Sequence, residues 1–409
     1  MTTPCPDAPG LPDRGMSAPS TPAPGIPAVP IAILAVAGFL LVTAEFVIIG
    51  LLPALARDLG VSPARAGLLV SLFAFTVTVF GPPLTAWLVG RERKRLFTGI
   101  LLVFAGANLM AAIAPNFWVL AVARFIPALA LPVFWGMASE TAAQLAGPRH
   151  AGRAVGRVYL GISAALVLGV PLGTVTGNAI GWRGAFAALA GMTLLAALLM
   201  HLRMPRPLMP PVATRSRQAN LLASPRFVMH VLLSVMAFTA MFASYTYLAE
   251  LLEGVAGIAP ARVGWWLMGF GCVGLLGNWL GGRLADRSSL GATVGFLVLL
   301  AVAMLAVVPA ASHPWTLAVV LALWGIAYTA LFPVCQIRVM QQGRQAQALA
   351  GTLNVSAANA GTGLGAVIGG WVIGGFGTAS LGHASAALAG MSVLCALPLF
   401  RLGRPPDRD

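Results

Sequence analysis

Apolar residues come along this chain in long unbroken runs. The first, Ile31 to Ala56, is apolar throughout except for Thr43 and Glu45. At about 1.5 Å of rise per residue, about 20 apolar residues cross the hydrocarbon of a bilayer, so this run is long enough to span it. Further runs follow, and together they predict twelve spans near 31–54, 66–89, 96–114, 118–143, 156–180, 184–202, 227–249, 263–281, 290–311, 316–337, 347–373 and 380–400. Short polar or Gly/Pro breaks separate them, such as Ala114-Pro115-Asn116 and Ser312-His313-Pro314. Runs this long predict helices, because a membrane barrel is built from alternating segments of about ten residues.

The connections divide these spans. Residues 1–30 hold nine prolines and little apolar surface, which predicts a disordered cytoplasmic tail. The longest connection, 203–226, carries five arginines and five prolines and separates six spans from six. The expected architecture is an all-α integral membrane protein of twelve transmembrane helices in two pseudo-symmetric six-helix halves. Their limits are 31–202 and 227–402, followed by a cytoplasmic tail at 403–409. The halves echo one another. Gly90-Arg91 follows span 2 where Gly282-Arg283-Leu284-Ala285-Asp286-Arg287 follows span 8, and Gly169-Val170-Pro171-Leu172-Gly173 in span 5 answers Gly361-Thr362-Gly363-Leu364-Gly365 in span 11. A duplicated six-span unit is a common plan of secondary carriers, with the site between the copies.

Composition narrows the class. The chain is 58% hydrophobic and 9% charged, with mean hydropathy +0.88, against about 25% charged residues in soluble domains. Its net charge of +14 invites a nucleic-acid partner, and the distribution of that charge excludes one. Only Arg57, Arg65, Arg183 and Arg262 of the 25 basic residues fall on the would-be outer side, with Arg124 inside a span. That asymmetry is the positive-inside rule and puts both termini in the cytoplasm of a bacterial-type inner membrane. Cys5, Cys272, Cys335 and Cys395 have no metal or disulfide spacing and read as packing residues. The first run is too long for a signal-peptide core and is expected to be retained. No loop can hold a soluble catalytic domain, the five histidines are scattered, and Lys94 in Arg-Glu-Arg-Lys-Arg is no phosphate loop. An enzyme is therefore not expected, and no cofactor beyond an ion gradient.

Among intramembrane ionisable residues, Glu45 is the first candidate. An ionised carboxylate in hydrocarbon costs several kcal/mol, so it must be protonated, paired, or facing a watery cavity. A group that binds and releases a proton as the cavity alternates would couple transport to a gradient; a snorkelling or structurally bonded glutamate is the alternative. Arg124 lies about two turns into span 4 and can pair with Glu45 or with backbone carbonyls. Glu140 is 16 residues further on, about 24 Å away along a straight helix, so the two cannot pair. It reads as an acid neutralised by Arg149 or Arg153, or as a second proton site. Asn354 and Asn359 are apolar-span amides that must find partners, by tying helices together or by touching a ligand. Gly161, Gly169, Gly173 and Gly177 share one helix face and predict close packing, and Pro171 predicts a bend.

Several stretches together resemble the major facilitator superfamily over roughly residues 30–402, and within it the twelve-span drug:proton antiporters and their arabinose-efflux-like relatives. They are Thr43-Ala44-Glu45-Phe46 with Gly50-Leu51-Leu52-Pro53, Leu168-Gly169-Val170-Pro171-Leu172-Gly173-Thr174, and the signature residues Gly282, Leu284, Ala285, Asp286 and Arg287. Two departures stand out. Gly90 replaces the usual aspartate before Arg91, which leaves a charge-relay latch incomplete, and Leu129 replaces a glycine in the fourth-span motif. The resemblance implies a role in proton transfer for Arg124. It implies a cavity lined by spans 1, 4, 7 and 10, here offering Trp135, Tyr245, Tyr247, Tyr328 and Gln336, with Asn354 and Asn359 beside them. It further implies that the bend at Pro171 goes with export, and that Arg91, Asp286 and Arg287 hold one face closed. The function it points to is proton-coupled efflux of a small amphipathic molecule such as a drug, by a monomer exchanging substrate for protons in the bilayer. Export of sugars, nucleosides or other metabolites, or import on the same fold, is the alternative.

Overall fold

The computed structural model describes residues 28–88, 90–147, 150–205, 224–343 and 347–402. Of the tails and linker expected at 1–30, 203–226 and 403–409, residues 1–27, 206–223 and 403–409 lie outside the described residues. Every regular element among those described is helical: α1 (Ala28–Asp58), α2 (Pro63–Leu88), α3 (Arg93–Ala112), α4 (Phe117–Ala146), α5 (Ala151–Ala164), α6 (Val170–Arg203), α7 (Pro225–Tyr245), α8 (Leu248–Gly254), α9 (Pro260–Ala310), α10 (Pro314–Gln342), α11 (Gln347–Phe376) and α12 (Leu381–Leu402). A π-helical turn, Ala165–Gly169, joins α5 to α6, and a 3-10 turn, Thr378–Ser380, precedes α12. Helix α1 starts at Ala28, so the last three residues of the expected tail are helical.

Nine helices among the described residues are long and apolar enough to cross a membrane, and two of these runs are 51 residues long, Arg153–Arg203 and Pro260–Ala310. A straight rod of that length would measure about 77 Å, more than twice the roughly 30 Å of hydrocarbon in a bilayer. Neither is straight. Gly181 leaves the helical region at φ 80°, ψ 157°, a backbone conformation that suits glycine alone. Ser288 leaves it at φ −159°, ψ 101°. These breaks fall where the sequence places the connections between its fifth and sixth and its eighth and ninth spans.

Helix α1 is buried on most of its faces, and glycines let its neighbours lie close. Gly161 faces the Ala35 carbonyl oxygen, Gly169 the Thr43 hydroxyl, Gly173 the Val47 side chain and Gly177 that of Leu51. The face predicted from spacing is the face that packs on α1. A second row, Gly361, Gly365 and Gly369 on α11, meets the backbone of α7 at Val235, Thr239 and Ala243. Each stands 192 residues beyond Gly169, Gly173 and Gly177. In a bilayer no hydrophobic effect drives helices together, so this close van der Waals approach holds them. The bend expected at Pro171 takes the form of the π turn just before it. Proline has no N–H to give the Val167 carbonyl and its ring crowds that oxygen, so the turn widens.

The α1 seam sets a test. A Cβ at Gly161 would collide with backbone, whereas Gly156 on the same helix faces open space. Gly161→Val should lower the thermal unfolding midpoint in detergent by several degrees, in line with the roughly 1–3 kcal/mol cost of overpacking. Gly156→Val should leave the midpoint in place, and equal effects would mean the seam is not what holds α5 to α1.

Candidate functional site

Helix α4 begins at Asn116, whose side-chain oxygen accepts the N–H groups of Trp118 and Val119, both at 3.1 Å. Two turns on, Arg124 is 2% exposed and points at α1. Its Nη1 donates to the Ala44 carbonyl oxygen at 2.5 Å and its Nη2 to that of Glu45 at 2.6 Å. Its guanidinium lies over the Phe73 ring, 4.5 Å from the centroid. Of the two pairings open to Arg124, the structure has the one with backbone oxygens, which still have a lone pair free after the helix bond. The Glu45 side chain is half-buried, and among the described residues its carboxylate makes no hydrogen bond or ion pair. It lies within electrostatic range of Arg124 and of Tyr328 on α10.

Beside this carboxylate stands a group of rings. Phe46, the next residue on α1, stacks on Phe242 of α7 with centroids 5.9 Å apart. Phe242 meets Tyr328 at 5.6 Å, Tyr328 meets Tyr245 at 4.3 Å, and Phe270 of α9 meets Tyr328 at 5.8 Å and Trp324 at 5.6 Å. The Tyr328 hydroxyl and the Trp324 indole nitrogen are buried and, among the described residues, have no hydrogen-bond partner. Such atoms are costly in a dry interior and fit a site that receives a polar group from a ligand. Tyr245 and Tyr328 are thus brought together. Phe46 and Phe270 belong to the same group; in the sequence Phe46 stands only as part of the Thr43-Ala44-Glu45-Phe46 stretch, and nothing distinguishes Phe270 from other span aromatics.

The other expected cavity residues lie elsewhere. Trp135 packs on Phe134 at 5.2 Å and Tyr159 at 5.5 Å, over Gly38 of α1. Tyr247 is fully buried between α2 and α11, its hydroxyl donating to the Ala366 carbonyl at 2.7 Å. Asn354 donates to Gln336 at 2.7 Å and so ties α11 to α10, while Asn359 donates to Val355 of its own helix at 3.0 Å.

Residues 34–350 and 231–409 match the family described as Major Facilitator Superfamily. The chain belongs to the major facilitator superfamily. It is 34% identical over 370 residues to the inner membrane transport protein YdhP of Escherichia coli K12, covering 89% of this chain and 94% of that one. It is 34% identical over 376 residues to a chloramphenicol efflux pump of Mycobacterium tuberculosis H37Rv, covering 89% and 91%. Its fold is similar to that of a bacterial homologue of the human lysosomal transporter Spinster, solved in an inward-facing and occupied conformation. The TM-score is 0.77 at 16% identity, over 91% of this chain and 96% of that one. The protein is a multi-pass membrane transporter with efflux-type relatives, and not an enzyme.

The superfamily's signature residues are at the helix ends. Arg91, Asp286 and Arg287 are exposed, Gly282 is half-buried, and among the described residues no ion pair joins them. Gly169 and Gly173 pack on α1, with Pro171 between them. Two expectations need correction. Glu140 pairs with Arg93 at 3.0 Å, because the start of α3 lies beside the end of α4; of its two expected partners, Arg153 is exposed on α5 and Arg149 lies outside the described residues. Arg338, just past the expected end of span 10 at 337 and so expected on the cytoplasmic side, is fully buried because α10 runs on to Gln342. It donates to the Thr293 hydroxyl at 3.1 Å, the His230 carbonyl at 3.1 Å and the Ser234 hydroxyl at 2.7 Å.

The fork of Arg124 predicts a graded response. Arg124→Lys keeps the charge but cannot span both carbonyls, and Arg124→Ala loses both bonds and the ring contact. Denaturation in detergent should give a loss of about 1–3 kcal/mol for lysine and more for alanine. Wild-type stability in Arg124→Ala would show that the fork does not hold α1 to α4.

Proposed function

We propose that this transporter is a proton-coupled exporter of small amphipathic molecules, exchanging protons for substrate by alternating access. The observation that carries the reading is the Glu45 carboxylate, without a bonded partner among the described residues and beside the Tyr245–Tyr328 rings, while Arg124 is taken up by backbone oxygens. Burial favours a carboxylate's neutral form and a nearby arginine its ionised form, so a change in water access can load or release its proton. A proton and a substrate that compete for one cavity are coupled in the simplest way. The membrane potential supplies about 2.3 kcal/mol per charge per 100 mV. Rings with buried polar edges suit an amphipathic cargo, and the chloramphenicol efflux pump among the relatives favours a drug-like one.

The machine we infer has twelve spans in two six-helix halves. Dividing the two 51-residue runs at Gly181 and Ser288, and adding α11, brings the nine candidate helices to that number. The two glycine rows 192 residues apart favour a repeated unit. At the α1 C-terminal end, Arg57 pairs with Glu253 at 2.6 Å and Asn178 donates to the Pro260 carbonyl at 2.6 Å, both across the inferred halves. On the inner-membrane orientation suggested by the basic residues, with both termini cytoplasmic, that end is the outer one and these bonds close it.

Proteoliposomes loaded with chloramphenicol and given an imposed pH gradient test the coupling. Glu45→Gln should reduce gradient-driven export at least tenfold while leaving substrate counterflow in the absence of a gradient. Wild-type gradient-driven export in Glu45→Gln would overturn the proton-coupling role.

A further inference from the structure

Four arginines stand at the end of the bundle where α1 finishes and α9 begins, and three of them are engaged. Arg57 pairs with Glu253, Arg183 pairs with Asp58, and the Arg65 guanidinium lies 5.0 Å from the centre of the Phe117 ring. Arg262, in the first turn of α9, is exposed. Among the described residues its side chain makes no hydrogen bond, ion pair or ring contact. A cation at this place is also opposed by the helix, whose N-terminus carries a partial positive charge of its own. Ala259, just before the helix, has no side-chain group to cap it. The position favours an anion.

Beyond Arg262 the same stripe of α9 is hollow. Trp265, Trp266, Gly269 and Val273 follow it at intervals of three, four, seven and eleven, so they share its face. Gly269 is exposed, and a side chain added there would meet open space. Opposite, α10 presents only the small side chains of Ala318 and Ala322, and between the two helices lies a groove of about 370 Å³. No charged side chain lines it, and the buried Phe270 is at its base. From 265 to 273 the groove runs about 12 Å, most of the roughly 15 Å of hydrocarbon in one leaflet. Trp265 and Trp315, 61% and 86% exposed, stand at its Arg262 end, where indoles mark the membrane interface.

We propose that this groove binds an anionic phospholipid such as phosphatidylglycerol. Arg262 holds the phosphate, and one acyl chain lies along Gly269, Ala318 and Ala322. A zwitterionic lipid offers the same phosphate with its own ammonium beside it, so the anionic headgroup is preferred. A second copy of this chain fits less well, because it would bury Arg262 against protein. Of the acids at this end, Asp58 and Glu253 are already paired and Glu250 is half-buried, which leaves such a copy little to set against the cation. Binding needs neither a gradient nor a cargo, so the site stands apart from the exporter reading.

The test places the full chain in liposomes with phosphatidylglycerol carrying a diazirine on one acyl chain, or with a matched phosphatidylcholine probe. Mass spectrometry then maps the labelled residues. Ile113 and Trp371, exposed elsewhere at the same end of the bundle, report ordinary lipid contact and correct folding. Relative to them, the phosphatidylglycerol probe should label Ala318 and Ala322 about fivefold more than the phosphatidylcholine probe does, the worth of one basic residue at a membrane surface. Arg262→Gln should remove that preference. Gly269→Leu, which fills open space, should abolish labelling of the two alanines by either probe and spare the controls. Equal labelling by the two probes, or a preference that survives in Arg262→Gln, would overturn the phosphate contact and with it the proposal. Alanine labelling unchanged in Gly269→Leu would overturn the seat of the chain. Labelling of the controls alone would overturn the lipid site, and groove labelling that then emerged on diluting the protein in lipid would assign the groove to a second copy. The probes occupy both leaflets and no gradient is imposed, so the outcome depends neither on the orientation of the chain nor on the Glu45→Gln result.

Discussion

A guanidinium inside a bilayer needs oxygen partners for its donors, and the two carbonyls that the Arg124 Nη groups find organise the centre of this protein. A carboxylate would have been the stronger partner by charge. The fork takes instead two consecutive carbonyls of α1, which fixes α4 against α1 in register and in rotation. Because the arginine is bonded to the backbone of residue 45, the carboxylate of the same residue has no bonded partner among the described residues. Arg338 repeats the principle, held by a carbonyl and two hydroxyls from α7 and α9. Arg124 and Arg338 are thus anchored by neutral oxygens, whereas the buried Arg93 takes the Glu140 carboxylate.

Around that centre the helices are brought close by absence of side chain. The rows at Gly161 to Gly177 and Gly361 to Gly369 let backbones meet where a methyl group would collide. A contact this dense has discrete arrangements and little room to deform. Arg57–Glu253 and Asn178–Pro260 join one end of the bundle by a few polar, replaceable contacts.

Much of the fold was legible in the chain because a bilayer imposes blunt rules. Span length, the Gly/Pro breaks and the glycine face on α1 each follow from one local constraint: hydrocarbon thickness, backbone geometry, or close approach. The breaks at Gly181 and Ser288 fall where short polar punctuation predicts them. The site was less legible. Tyr245, Tyr328, Glu45 and Arg124 stand out as polar groups in apolar runs, whereas Phe46 and Phe270 differ in nothing from aromatics that merely pack. Tyr247, with the same credentials as Tyr245, spends its hydroxyl on Ala366. Two residues along a helix turns a side chain by about 200°, so neighbours in sequence belong to different surroundings.

By itself the sequence determined that this chain is helical, embedded in a membrane and a member of the major facilitator superfamily, because those properties are summed over many residues and survive errors at any one. Only the tertiary structure decided which oxygens Arg124 takes, that Glu140 answers Arg93, and that Tyr247 spends its hydroxyl on Ala366. Each of these depends on the rotation of one helix against another to within a few ångströms. That rotation is set by packing between segments far apart in the chain, and no local pattern carries it.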